Sequence, residues 1–175
     1  MKNIVATLSL LFATTLSAQV AIGKATVSSP AVSLEFYDNA DNTRGIILPW
    51  VTSTSAVTGA VNGTLVYNTA DRKVYVKYAS GWRDLSVDNT GTVTTTLQDS
   101  LTDQDTAKVL IGGDPATDTT PGILVLADTN KAMVLPKVAS PHLNIVKPSP
   151  GMMVYDTTKK QLAVFNGTVW SFWKP

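Results

Sequence analysis

The chain contains no cysteine, and among its 175 residues there is a single histidine, His142. Without cysteine it can form neither disulfides nor thiolate metal sites. One histidine is too few for a zinc site built from several imidazoles, and no nucleophile motif or glycine-rich phosphate loop accompanies it. The sequence therefore predicts no catalytic residues, no metal site and no cofactor.

An excess of charge of one sign is also missing, since 14 Lys and Arg face 13 Asp and Glu. Lys2 is the only charged residue among the first 18, so the rest of the chain is balanced. Its basic residues form no run. Nucleic-acid binding needs clustered positive charge to displace counterions, and we therefore expect no nucleic-acid partner.

A long apolar run occurs only near the N-terminus, where residues 4–16 follow the basic start Met1-Lys2-Asn3. This run is too short to anchor the chain in a bilayer, and Leu16-Ser17-Ala18 has the small residues of a cleavage site. We predict a signal peptide over residues 1–18 and no transmembrane segment in the mature chain. Export without disulfides is typical of a bacterial envelope, so we expect the periplasm, the outer membrane or the cell surface.

The chain does have an internal repeat, with an offset of about 88 residues. Each copy contains an Ile-Gly opening, an apolar run ending in Leu-Pro, a strand-like Val-Tyr segment after a glycine, and a final Gly-Trp or Gly-x-x-Trp. In the first copy these are Ile22-Gly23, Ile46-Ile47-Leu48-Pro49, Gly63-Thr64-Leu65-Val66-Tyr67 and Gly81-Trp82. In the second they are Ile111-Gly112, Met133-Val134-Leu135-Pro136, Gly151-Met152-Met153-Val154-Tyr155 and Gly167-Thr168-Val169-Trp170.

These patterns predict an all-β protein of two tandem small antiparallel modules, residues 19–86 and 109–175. The end of each copy reads as a three-stranded meander, because short runs of β-formers alternate with polar turns. Asn166-Gly167 is the strongest hairpin signal, since both residues accept positive φ. Proline cannot donate to a sheet, so each Leu-Pro run should lie at an edge or leave its sheet at the proline.

Residues 87–108 are rich in Thr and Asp and predict a polar linker between the modules. Within it, Asp99-Ser100-Leu101 and Asp105-Thr106-Ala107 match an Asp-Ser/Thr-apolar pattern. That pattern resembles the periplasmic O-glycosylation signal of Bacteroidota, which makes Ser100 and Thr106 candidate acceptors.

Four tryptophans offer two interpretations. Trp82 and Trp170 occupy matching places and are expected to fill the meander cores, although exposed tryptophans can also stack on sugars or contact a protein partner. Trp50 and Trp173 have no tryptophan at the matching place, which favours them as partner contacts. We carry all four as candidate contacts to a partner or glycan.

The order of Ile-Gly, Gly-x-x-Leu-Pro, Gly-x-x-Val-Tyr-Asn/Asp-Thr and Gly-x-x-Trp resembles a repeat of secreted Bacteroidota proteins and segments of phage tail-fibre-like proteins. The resemblance covers both copies and implies a structural or adhesive role, with a homotrimer as a possible assembly. The chain departs from the pattern after Leu-Pro, where the usual Arg is replaced by Trp50 and Lys137. It also ends without a chaperone or sorting domain, which favours a short subunit over a long fibre.

From these features we expect a non-catalytic exported structural or protein-interaction protein of a bacterial envelope. The first interpretation is an accessory subunit of an outer-membrane or surface assembly, with a protein partner in the envelope. The alternative is a carbohydrate-binding or adhesive module, including the case of a short trimeric tail-fibre-like fibre. Exposed strand edges must be covered by pairing in either case.

Overall fold

The computed structural model describes residues 19–102, 104 and 106–174. The predicted signal peptide, residues 1–18, lies outside the described residues. The described part is nearly all β, which confirms the predicted fold class. None of its helices is long and apolar enough to cross a membrane.

The strands occur in the same order in both copies of the repeat. The first copy contains β1 (Val20–Ile22), β2 (Val32–Phe36), β3 (Ile46–Ile47), β4 (Trp50–Val51), β5 (Leu65–Asn68), β6 (Lys73–Tyr78) and β7 (Gly81–Asp84), with a 3-10 turn at Thr54–Ala56. The second contains β8 (Val109–Ile111), β9 (Leu124–Leu126), β10 (Ala132–Val134), β11 (Lys137–Val138), the helix α1 (Pro141–Asn144), β12 (Met152–Asp156), β13 (Gln161–Phe165) and β14 (Trp170–Trp173).

Each copy ends in the predicted antiparallel meander, β5-β6-β7 in the first and β12-β13-β14 in the second. The first turn of each meander contains a residue with positive φ, Arg72 at 62° and Lys160 at 55°. Before β14 the side-chain oxygen of Asn166 accepts from the N–H groups of Thr168 and Val169, at 2.9 and 2.8 Å. Local turn chemistry therefore shapes the meanders.

The chain changes sheets at each Leu-Pro pair, as predicted. β3 pairs with β12, but after Leu48-Pro49 the next strand, β4, runs parallel to β5. In the second copy, β10 pairs with β2, and after Leu135-Pro136 β11 runs parallel to β12. Proline lacks the N–H that a continuous ladder needs, so the break falls there.

The two copies share sheets and a core. β2 of the first copy runs parallel to β10 of the second, and β3 of the first runs antiparallel to β12 of the second. One apolar cluster joins both meanders and consists of Leu48, Tyr67, Val74, Leu85, Met153 and Val164. Each copy therefore completes its core with the other, in keeping with the small apolar area that a module of this size can bury alone.

The Thr- and Asp-rich segment 87–108 has neither helix nor strand among its described residues. Its first part is nevertheless held against the second meander. Val87 N–H donates to the Ser171 hydroxyl at 2.7 Å, and the Thr168 hydroxyl donates to the Thr90 carbonyl at 2.9 Å. The start of this segment thus contributes to the packing of the second copy.

Candidate functional site

The two copies meet at a junction where Tyr67 and Trp50 of the first copy contact residues between Pro150 and Asn166 of the second. Tyr67 is fully buried, and its hydroxyl donates to the carbonyl oxygen of Asn166 at 2.7 Å. Burial raises the pKa of Tyr67 to about 12, because the phenolate would lose its hydration. The tyrosine therefore stays protonated and acts as a fixed hydrogen-bond donor.

Gly151 allows the two copies to approach closely at this junction. Its φ is +77°, and a Cβ placed on it would lie 2.8 Å from the Cβ of Tyr67. Its carbonyl oxygen accepts the N–H of Leu48 at 3.0 Å, and the neighbouring Pro150 carbonyl accepts the indole N–H of Trp50 at 3.0 Å. Both the backbone conformation and the space favour glycine here.

A group of charged residues lies at the other sheet that the copies share. The ammonium of Lys24 is 3.0 Å from carboxylate oxygens of both Glu35 and Asp38, and Lys137 of the second copy is 3.3 Å from Asp38. Glu35 is fully buried in β2. Burial raises its pKa, but the Ser28 N–H and Lys24 outweigh that effect, so the pKa lies below the ordinary value.

Asp156, at the end of β12, organises the following turn. Its Oδ1 accepts the N–H groups of Ser140, Thr158 and Lys159 at 3.2, 2.9 and 3.2 Å. Burial raises the pKa of Asp156, but these backbone donors outweigh it and hold the pKa below its usual range. The ionised carboxylate is thus part of the folded structure and is not poised to exchange a proton.

All four candidate tryptophans are half-buried, and they lie in different parts of the molecule. Trp50 and Trp173 pack against the cluster that joins the meanders, whereas Trp170 packs against a second cluster around Val138. Trp82 lies in β7 opposite Lys77. Of the pair expected to fill the meander cores, Trp170 packs against an apolar cluster, whereas Trp82 belongs to neither cluster. Trp50 and Trp173, which the sequence favoured as partner contacts, pack against the shared core instead. Partner or glycan contacts through the exposed parts of the four rings stay a prediction.

Trp173 is held most tightly of the four by polar contacts. Its indole N–H donates to the Leu85 carbonyl at 2.6 Å, and the guanidinium of Arg83 lies 5.3 Å from its ring centre. Because Leu85 follows β7, this bond ties the last strand of the second meander to the end of the first.

The candidate acceptors Ser100 and Thr106 are both exposed in the described part of the linker. Their glycosylation stays a prediction. Among the described residues, no group of three or more His, Cys, Asp or Glu side chains is arranged to hold a metal ion.

Sequence reasoning missed the junction residues Tyr67, Gly151 and Asn166. The signal was present, because the Gly and Tyr positions recur in both copies as Gly63 and Tyr155. A glycine kept at one place of a repeat indicates either a positive φ or a close approach, and Gly151 has both.

Comparison with known proteins supports the tail-fibre-like resemblance for part of the chain. Residues 114–174 match the family model described as a phage tail like trimerisation region. This match falls within the second copy and covers less than half of the chain. Searches of curated proteins and of solved structures gave no match.

Proposed function

We propose that the chain is a non-catalytic, exported structural protein that assembles as a homotrimer, in the manner of a short tail-fibre-like subunit. The observation that carries this proposal is the match of residues 114–174 to a trimerisation region. That segment contains β9 to β14, so we propose that the second copy is the assembly element.

Exposed apolar side chains support self-association. Ile47 is 54% exposed, Leu124 is 48% exposed and Tyr78 is 46% exposed, and each lies in a strand. The 2-stranded sheet of β8 and β9 leaves one edge of each strand without a partner strand in the described chain. Apolar strand edges of this kind are templates for pairing with another chain.

Residues 1–18 support the exported location, and the envelope is the compartment we propose. In the adhesive form of the proposal, the exposed parts of the half-buried tryptophans contact a surface glycan, since aromatic rings can stack on sugars. An accessory role in an envelope complex is the competing assembly, because a larger protein could cover the same strand edges.

The test is to express the full chain with a C-terminal tag in an exporting bacterial host and to purify it gently from the envelope. Intact mass reports whether residues 1–18 are removed, and sedimentation equilibrium reports the assembly. We expect cleavage after Ala18 and a particle of three chains. A monomer at every concentration, or a stoichiometric complex with a different protein, would overturn the trimer.

A further inference from the structure

The contact between the two copies is asymmetric, because each copy contributes a different surface to it. Tyr67 of the first copy covers Gly151 of the second. The repeat offset makes Tyr155 the counterpart of Tyr67, and Gly63 the counterpart of Gly151. A two-fold relation between the copies would place Tyr155 on Gly63 within the same chain.

That reciprocal contact is not made in the described structure. Tyr155 is 36% exposed, whereas Tyr67 is 0% exposed. A Cβ built on Gly63 meets nothing within 4 Å, whereas one on Gly151 lies 2.8 Å from Tyr67. Each copy thus has a tyrosine face and a glycine face, and one chain satisfies only one face of each kind.

Strand pairing at the meanders is asymmetric in the same way, because one pair of strands is formed and the equivalent pair is not. β3 runs antiparallel to β12, with Ile47 opposite Met152 and the Leu48 N–H bonded to the Gly151 carbonyl. The counterparts are β10 and β5, and the repeat offset places Val134 opposite Thr64, the residue just before β5. Those two strands form no ladder with each other among the described residues, although β10 pairs with β2 and β5 with β4 and β6.

A second pair of strands repeats the pattern. β2 of the first copy pairs with β10 of the second, with Leu34 opposite Met133. The counterparts are β9 and β3, which also form no ladder with each other in the part of the chain that the structure describes. Leu124 in β9 and Ile47 in β3 are both about half exposed.

We propose that the unpaired edges of these strands bind a second copy of this chain, so that the contact inside the chain is repeated between chains. The second copy of one chain then lies on the first copy of the next, with β10 beside β5, β9 beside β3 and Tyr155 over Gly63. Such a head-to-tail contact joins different surfaces and can close into a ring. The inference rests on the proposed trimer and specifies its interface. A closed ring of three chains would contain three such contacts within chains and three between chains.

The alternative to an interchain contact is a rearrangement within one chain. Leu65 of β5 and Met133 of β10 line the same apolar groove, whose volume is about 310 Å³. Closing that groove would bring the two strands together without a partner. The experiment must therefore separate links between chains from links inside a chain.

Links between chains can be distinguished from links within a chain by introduced cysteines, because the natural chain contains none. Two single variants, Val134→Cys and Thr64→Cys, are mixed in equal amounts as full chains, unfolded, refolded together and oxidised gently. Facing residues of antiparallel strands lie within reach of a disulfide. We expect a shift to two linked chains on non-reducing gels for the mixture and no such shift for either variant alone, because a head-to-tail contact never places a residue opposite itself.

A matched control replaces Val134→Cys with Val146→Cys, since Val146 is 82% exposed and lies away from the proposed interface strands in sequence. This mixture should not link. The double variant Thr64→Cys/Val134→Cys should form linked species that end at three chains. Sedimentation of the unmodified chain, run in parallel, reports the trimer independently.

The outcomes separate the two proposals. If the unmodified chain is a trimer but the mixed variants do not link, the proposed function stands and the proposed interface is wrong. A monomer overturns both. A double variant that links only within one chain shows groove closure and also overturns the interface, and linked species that continue beyond three chains support the contact but contradict the ring.

Discussion

The two copies of the repeat have the same strands, but one tyrosine and one glycine differ in exposure between them. Tyr67 is buried where Tyr155 is exposed, and Gly151 is buried where Gly63 faces open space. Sequence alone treats each pair as equivalent. The difference comes from position in the chain, because the first copy has a neighbour on its tyrosine face and the second has a neighbour on its glycine face. A repeat unit with two complementary faces is suited to stacking.

The largest expected difference lies between the two tyrosines. Tyr67→Ala should lower the free energy of unfolding by about 3–5 kcal/mol, since it opens a cavity and leaves the Asn166 carbonyl without its donor. Tyr155→Ala, measured in dilute solution by urea denaturation, should cost less than about 1.5 kcal/mol. Equal losses would show that the two copies are not used differently.

The glycines provide the next comparison. Gly151→Ala should destabilise the fold by about 2–3 kcal/mol, because a positive φ and the Tyr67 contact both oppose a side chain. Gly63→Ala should cost about 1 kcal/mol from its positive φ alone. Thermal unfolding of both variants, at a concentration low enough for the chain to be monomeric, checks this order, and an equal loss at the two sites would contradict the directional contact within one chain.

Acid should destabilise the chain through carboxylates that only one copy has at the equivalent place. Asp156 corresponds to Asn68 of the first copy. The folded pKa values of Asp156 and Glu35 lie below their ordinary values. Their stabilisation is therefore complete above about pH 4–5 and is lost as pH falls through the folded pKa values, by about 1.4 kcal/mol per unit of pKa difference.

Asp156→Asn sharpens that comparison. It makes the second copy resemble the first, and it should reduce the stability lost between pH 7 and pH 3 in urea titrations. The pH-independent part of the stability should also fall, since a neutral acceptor binds the three N–H groups less strongly. An unchanged acid response would exclude Asp156 as a source of the pH dependence.

The smallest expected effect concerns Trp50, whose counterpart is Lys137. Trp50→Phe removes the indole N–H that reaches the Pro150 carbonyl and should cost about 0.5–1.5 kcal/mol. Trp173→Phe is the matched control within the same cluster, since its N–H also reaches a carbonyl, that of Leu85. A loss at Trp50 far above that at Trp173 would indicate a packing role beyond one hydrogen bond.

Much of the local structure could be predicted from the sequence. The meanders, the turn at Asn166-Gly167 and the sheet change at each Leu-Pro depend on residues close together in the chain. The pairing of β2 with β10 and of β3 with β12 could not, since residues about 100 positions apart leave no periodic signal. The unequal burial of Tyr67 and Tyr155 was hidden for a related reason, because both have nearly the same local sequence.

The measurement that tests the directional contact most directly is sedimentation velocity of three full-length chains over a range of concentration. They are the unmodified chain, Tyr155→Glu at the proposed interface, and Leu143→Glu as a control at a position that is 72% exposed. The account predicts a trimer for the unmodified chain and for Leu143→Glu, and a folded monomer by circular dichroism for Tyr155→Glu. A Tyr155→Glu chain that still sediments as a trimer would contradict it.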